Sequence, residues 1–208
     1  QADTATRVLI LTGANRACNA KLDLDEWSVA PAAAAWEFDT VQAVLQFSGP
    51  IIGAVNGLTI TGGLELALAC DLLVASTDAR FADTHTKVGL LPGWGGSVRL
   101  QQRVGLLRAK EMALIARFVP ADEAFAWGLV NRVVPPERLR AEAQAWAREM
   151  LATVPEGLVG YKRLLDDEAA LPFGEALALE RNRARAANLG VTRDEIDARL
   201  ARLRRQRG

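Results

Sequence analysis

The chain has 208 residues, half of them hydrophobic and 24% charged, enough material for one folded domain with a buried core. Its 25 Lys and Arg balance its 25 Asp and Glu, so the charge does not favour nucleic acid or an anionic membrane as the main partner. The two cysteines, Cys18 and Cys70, form neither a metal spacing nor a disulfide framework, and no apolar run reaches a membrane span. With no basic-then-apolar leader at the N-terminus, a reduced cytoplasmic protein is the expectation.

In chain order, Arg7 to Leu11 is a short apolar run ended by Thr12-Gly13, which predicts a strand buried on both faces of a parallel sheet. Residues 14–24 have no clear period and read as a loop, and residues 27–38, rich in Ala and Trp, carry no assignable pattern. Asp39 to Phe47 predicts a helix with Val41, Val44 and Leu45 on one face, stopped by Ser48-Gly49-Pro50. Ile51 to Val55 reads as a buried strand and Asn56-Gly57 as a turn. After Thr61-Gly62-Gly63 comes a run, Leu64 to Ala69, apolar nearly all round, which predicts a buried helix. Leu72 to Ala75 returns as a strand, so the order is that of a parallel sheet with right-handed connections.

The second half changes character, with helical patterns at roughly 95–103, 107–117, 121–127, 136–152, 156–168, 173–188 and 193–204. Leu139, Ala143, Trp146 and Met150 form a single apolar stripe, and Thr192 with Glu195 has capping-box spacing. Leu129 to Val134 predicts a short strand between Gly128 and Pro135. The Arg-rich end (Arg199, Arg202, Arg204, Arg205, Arg207) reads as a solvated face.

Residues with chemical potential cluster between 50 and 99. Gly62-Gly63 precedes a helix whose first N–H groups lack intrahelical partners, so the turn can hold an anion or a developing oxyanion; the same glycines also suit a tight turn. Glu65 is an acid among Leu64, Leu66, Ala67 and Leu68, a candidate general acid or base or simply a favourable charge in a first helical turn. His85, the only histidine, suits proton transfer near neutrality or a structural hydrogen bond. Pro92 to Gly96 forms a second glycine-lined helix start, with Trp94 placed to cover a ligand or the core. Cys18 lacks a nearby base, and Asp83 fits the part of a cap or of a partner for a neighbour. The sequence has no metal cluster, phosphate loop or dinucleotide fingerprint.

The strings RVLILTG, PIIGAVNGLTITGGLELALACDLLVAS, ARFADTHTKVGLLPGWGGSVRL and AFAWGLVNRVVP resemble, in order and spacing, the enoyl-CoA hydratase/isomerase (crotonase) superfamily. The resemblance runs from about residue 5 to the C-terminus. It implies an α/β fold, a spiral of β-β-α turns over residues 1–134, then a helical region, 135–208, that makes trimers often stacked as hexamers. It also implies an acyl-CoA thioester substrate, with coenzyme A as part of the substrate and no separate cofactor or metal. Two N–H groups would hold the thioester oxygen: that of Gly62, and that of Leu22, because RACNAKLDL stands where the family has Arg-Ala-Phe-Cys-Ala-Gly-x-Asp-Leu. Ala20, Lys21 and Asp23 of that loop, with Gly63, Gly93 and Trp94, would border the substrate.

Glu65 matches the first of the hydratases' two glutamates; the second falls on His85, where this chain has Thr-His in place of Pro-Glu. Asn19 and Lys21 replace the usual Cys and Gly. The chain begins near the family's third strand, without the two strands and helix that help bind the CoA nucleotide, and the edge at residues 7–11 calls for cover by oligomerisation. The implied activity is addition of water across a 2-enoyl-CoA double bond in fatty-acid or related acyl-CoA metabolism. The rival readings are another crotonase reaction, such as enoyl-CoA isomerisation, and a non-catalytic acyl-CoA binder.

Overall fold

The computed structural model describes residues 5–14 and 40–206. Strands β1 (Leu9–Thr12), β2 (Ile51–Val55), β4 (Leu72–Ser76) and β7 (Arg132–Val134) form a parallel sheet in the order β1-β2-β4-β7. The registers pair Leu9 with Ile51, Ile52 with Leu72, and Val74 with Arg132. A smaller sheet joins β3 (Leu58–Ile60) parallel to β5 (Arg80–Ala82), with β6 (Val119–Pro120) antiparallel to β5.

Continuous apolar runs become central strands because side chains alternate between the two faces and both faces are covered. Ile51, Val55, Leu73 and Ala75 enter one core cluster, while Ile52, Ala54 and Val74 enter another on the opposite face. The first cluster is roofed by helices α2 (Gly62–Leu68), α3 (Gly96–Val104), α4 (Leu106–Ile115) and α5 (Ala121–Ala126) through Leu64, Leu68, Leu100, Val104, Met112 and Ala124. Gly53 lies on that face, where a β-carbon would overlap the Leu73 side chain and press on Cys70.

The second cluster is covered by α6 (Leu139–Leu151), which the apolar stripe predicts: Leu139 and Ala143 are buried, with Trp146 and Met150 packed beside them. The helix begins after a short 3-10 turn, Pro136–Arg138, so its α-helical part is shorter than the pattern over 136–152. It packs on β1, β2 and β4 and belongs to the compact unit that runs through Val159.

In the middle of the chain, successive passes send one strand to the large sheet, one to the small sheet, and then a helix. β2, β3 and α2 make one such pass; β4 and β5 begin the next, which continues into α3 and α4. This is the expected spiral of β-β-α turns.

Several details differ from the sequence reading. The strand expected to be buried on both faces, β1, is the terminal strand of its sheet among the described residues, and Leu9 and Thr12 are exposed. Leu45, expected beside Val41 on the buried face of α1 (Thr40–Leu45), points outward, because that helix is short and only Val41 is buried. The predicted strand over 129–134 is confined to Arg132–Val134; Leu129 and Val130 are buried ahead of it, and Asn131 completes the pairing. Its main-chain N–H donates to the Leu73 carbonyl at 2.8 Å, and its side-chain oxygen accepts the Leu73 N–H at 2.8 Å. Asp71 does the same for Ile51, so both strand heads have their backbone polar groups met.

The second compact unit covers residues 160–208. Within it, the end of α7 (Pro155–Glu168) is tied to α8 (Phe173–Asn188) by Arg183, which pairs with Asp167 at 2.5 Å. Helix α9 (Arg193–Gln206) opens with the predicted capping box: Glu195 N–H donates to Thr192 Oγ1 at 3.3 Å and Thr192 N–H donates to Glu195 Oε2 at 2.9 Å. Arg202, Arg204 and Arg205 are exposed, as a solvated face requires.

One half-buried cation ties α2 to α3. The Arg103 guanidinium donates to the carbonyls of Leu68, at 3.1 Å, and Cys70, where α2 ends and its last carbonyls lack intrahelical donors. Arg103→Met keeps most of the packing volume and removes both donors. It is expected to lower unfolding free energy by about 2–3 kcal/mol, read as a shift in the urea midpoint; a shift worth under about 0.5 kcal/mol would contradict this role.

Candidate active site

Helix α2 carries the central carboxylate. The chain leaves β3 through Thr61, which adopts φ 55 and ψ −112, a left-handed value a β-branched residue adopts only under strain of order 1–3 kcal/mol. Its N–H donates to the Ala82 carbonyl at 3.0 Å, and its hydroxyl lies 2.5 Å from that of Thr84. These contacts hold the turn so that Gly62 and Gly63, both buried, open the helix. Glu65 follows in the first turn, only 3% exposed.

A buried carboxylate needs partners. Glu65 Oε1 accepts N–H groups from Trp94 at 2.8 Å and from Gly96 at 3.0 Å, both in the second glycine-lined turn. Gly95 caps α3 with φ 92, and Arg99 ties the turn down by donating to the Trp94 carbonyl at 2.7 Å. A β-carbon on Gly96 would lie 2.8 Å from Glu65 Cγ and 3.0 Å from Oε1, so glycine there is what lets the carboxylate reach the helix start.

The other carboxylate oxygen, Oε2, lies 3.5 Å from His85 Nε2. His85 sits in a single 3-10 turn, His85–Lys87, after β5, and is 7% exposed. Its Nδ1 is 2.6 Å from Asp83 Oδ1, and the same oxygen accepts the His85 main-chain N–H at 3.2 Å. Burial pulls the imidazole toward its neutral form, but hydrogen bonds and charge from Asp83 and Glu65 outweigh it and raise the pKa to about 9. Burial pushes Asp83 upward, and its bonds to His85 more than offset this, holding it below the usual carboxylate range.

The structure therefore brings together Gly62, Gly63, Glu65 and His85, and sets Trp94 against Glu65 through its main chain. Gly93 lies exposed in the same turn. Trp94 is half-buried. Leu22, Ala20, Lys21 and Asp23, with Cys18 and Asn19, lie outside the described residues. Asp83 is the residue whose weight the sequence understates. Its signal is the Asp-x-His spacing just after a strand, which lets one carboxylate reach both the main chain and the ring of the histidine. Cys70 is buried in the core, away from this chemistry. Among the described residues, no group of three or more His, Cys, Asp or Glu is arranged to hold a metal, and no helix is long and apolar enough to cross a membrane.

The chain is 36% identical over 196 residues to a protein of Arabidopsis thaliana named probable enoyl-CoA hydratase 1, peroxisomal, covering 93% of this chain and 74% of that one. It is 40% identical over 172 residues to a mevalonyl-coenzyme A hydratase of Beauveria bassiana, covering 76% of this chain and 61% of that one. The crystal structure of an enoyl-CoA hydratase from Bacillus anthracis matches with a TM-score of 0.88 and 30% identity, over 98% of this chain and 81% of that one. A family model described as enoyl-CoA hydratase/isomerase matches residues 1–188, and the chain belongs to that family.

Proposed function

We propose that the chain is an enoyl-CoA hydratase, a carbon–oxygen lyase that adds water across the double bond of a 2-enoyl-CoA thioester. The observation that carries this reading is the buried Glu65–His85 pair, 3.5 Å apart, beside the glycine turn that opens α2. A base and an acid on one side of a single pocket are what water addition needs, since water loses a proton and the α-carbon gains one. The names of the relatives, hydratases of enoyl-CoA and of mevalonyl-CoA, support the same reaction class.

In this reading the Gly62 and Leu22 N–H groups hold the thioester oxygen as it takes up enolate charge. Ala20, Lys21, Asp23 and Gly63 border the thioester, Gly93 helps hold substrate or water, and Trp94 shapes the acyl pocket. The reaction calls for no cofactor beyond the coenzyme A of the substrate. The cytoplasm is its proposed location, although the plant relative carries the word peroxisomal in its name. A homotrimer, alone or stacked as a hexamer, is the proposed assembly, with the helical region after residue 134 as its contact. Exposed Tyr161, Phe173, Leu189 and Leu203 support an apolar surface that another copy would cover.

Incubation with crotonyl-CoA is expected to remove the enoyl-thioester absorbance and yield 3-hydroxyacyl-CoA. Glu65→Gln and His85→Ala are each expected to lower kcat by about 10²–10⁴-fold. A product with its double bond moved and no oxygen gained would mean isomerisation instead, and tight binding without turnover would mean a binder. Gly96→Ala tests the cradle: by pushing Glu65 off the two N–H groups it should lower kcat by about 10²-fold while leaving the fold intact by circular dichroism. Activity within about twofold of wild type would show that the cradle does not position the catalytic carboxylate.

A further inference from the structure

Asp83 has no part in the reading above, yet it is 6% exposed and makes the shortest contact to the histidine. One oxygen, Oδ1, meets two donors of His85: the main-chain N–H at 3.2 Å and Nδ1 at 2.6 Å. A carboxylate that grips both fixes the ring against its own backbone and places the Nδ1 proton between the two residues. Nε2 is then the only ring nitrogen left for chemistry, and it faces Glu65 Oε2. Among the described residues, the charged groups facing His85 are Asp83 on its own segment and Glu65 on α2. Helix α4 packs on the same turn, where Thr86 donates to the Ala113 carbonyl at 2.8 Å, but its Glu111 is engaged by Arg117 at 2.7 Å.

We propose that Asp83 is a positioning residue that holds His85 as an imidazolium with Nε2–H toward the reacting carbons, making His85 the acid and Glu65 the base. This rests on the hydratase reading, and it assigns the direction of proton flow. Glu65 takes a proton from water as the water oxygen bonds to the β-carbon, and the double-bond pair moves onto the thioester oxygen. The enolate collapses as His85 Nε2–H gives its proton to the α-carbon. Glu65 then passes its proton to the neutral Nε2 across the 3.5 Å gap, restoring both groups, so one water is added and nothing else changes. A glutamate at position 85 would need to be protonated beforehand to act as the acid; a histidine gripped by Asp83 carries its proton at neutral pH.

The test is the pH profile of crotonyl-CoA hydration. In the wild type the rate should fall as pH rises through about 9, where His85 loses its proton. Asp83→Asn keeps the shape and an acceptor oxygen but removes the charge. Its basic limb should move down by about one to two pH units, and kcat at pH 8 should fall by about 10²-fold with KM within about twofold. Asp83→Glu keeps the charge on a longer arm, so its limb should stay near the wild-type position while kcat drops. An asparagine variant whose limb stays in place, or one that changes KM alone, overturns the proposal. If that variant does not fold, Asp83→Glu decides: a lowered kcat with the limb retained supports the role, and an unchanged kcat overturns it. A wild type with no basic limb, or a His85→Gln variant as fast as wild type, would instead sink the assignment of the Glu65–His85 pair.

Discussion

The structure around the site is organised by one constraint, the presence of a buried carboxyl group inside an apolar helix packing. Glu65 lies among Leu64, Ala67 and Leu68, which face the main core cluster. Without compensation such a group would cost several kcal/mol to desolvate. The compensation comes from two directions. The turn at residues 92–96 presents two main-chain N–H groups at the start of α3 to Oε1, and His85 brings Nε2 to 3.5 Å from Oε2. Each demands something of the sequence nearby: a left-handed Gly95, a Gly96 without a side chain, an Arg99 to tie the turn, and an Asp83 to hold the histidine ring.

The spiral winding supplies the proximity. Thr61 and Thr84 follow the parallel strands β3 and β5, so the segments carrying Gly62 and His85 leave the small sheet side by side. Their hydroxyls meet at 2.5 Å, joining the strained turn at α2 to the segment that carries the histidine. The strain at Thr61 thus sits at the junction between β3 and the helix that carries Gly62, Gly63 and Glu65. Arg103 at the far end of α2 and the paired glycines at its start hold the helix from both ends.

Much of this is legible in the sequence. Ile51 to Val55 and Leu72 to Ala75 read as buried strands because an unbroken apolar run is the signature of a sheet covered on both faces. The stripe on α6 and the Thr192–Glu195 capping box also stand where periodicity and spacing put them. Strands β3, β5 and β6 carry no readable pattern because two or three residues are too few to show a period of two. β1 matched an interior strand in composition, and its half-exposed state depends on sheet order, which no local pattern encodes. At the site, Glu65 and His85 stood out as unusual residues in apolar or sparse surroundings. Asp83 is less distinct, since an aspartate after a strand has many uses, and its 2.6 Å contact is what gives the Asp-x-His spacing its meaning. The glycine turn at 92–96 was visible as a helix start, but its donors meet the protein's own Glu65, a partner fixed only by tertiary packing.

Because His85 is the only histidine in the chain, heteronuclear NMR of its ring nitrogens reports this residue alone. The account predicts that both nitrogens carry protons at neutral pH and that their signals change only as pH approaches about 9. A ring that titrates near its ordinary value of about 6.5 would contradict it, because a neutral imidazole between two carboxylates could neither neutralise Glu65 nor serve as the acid.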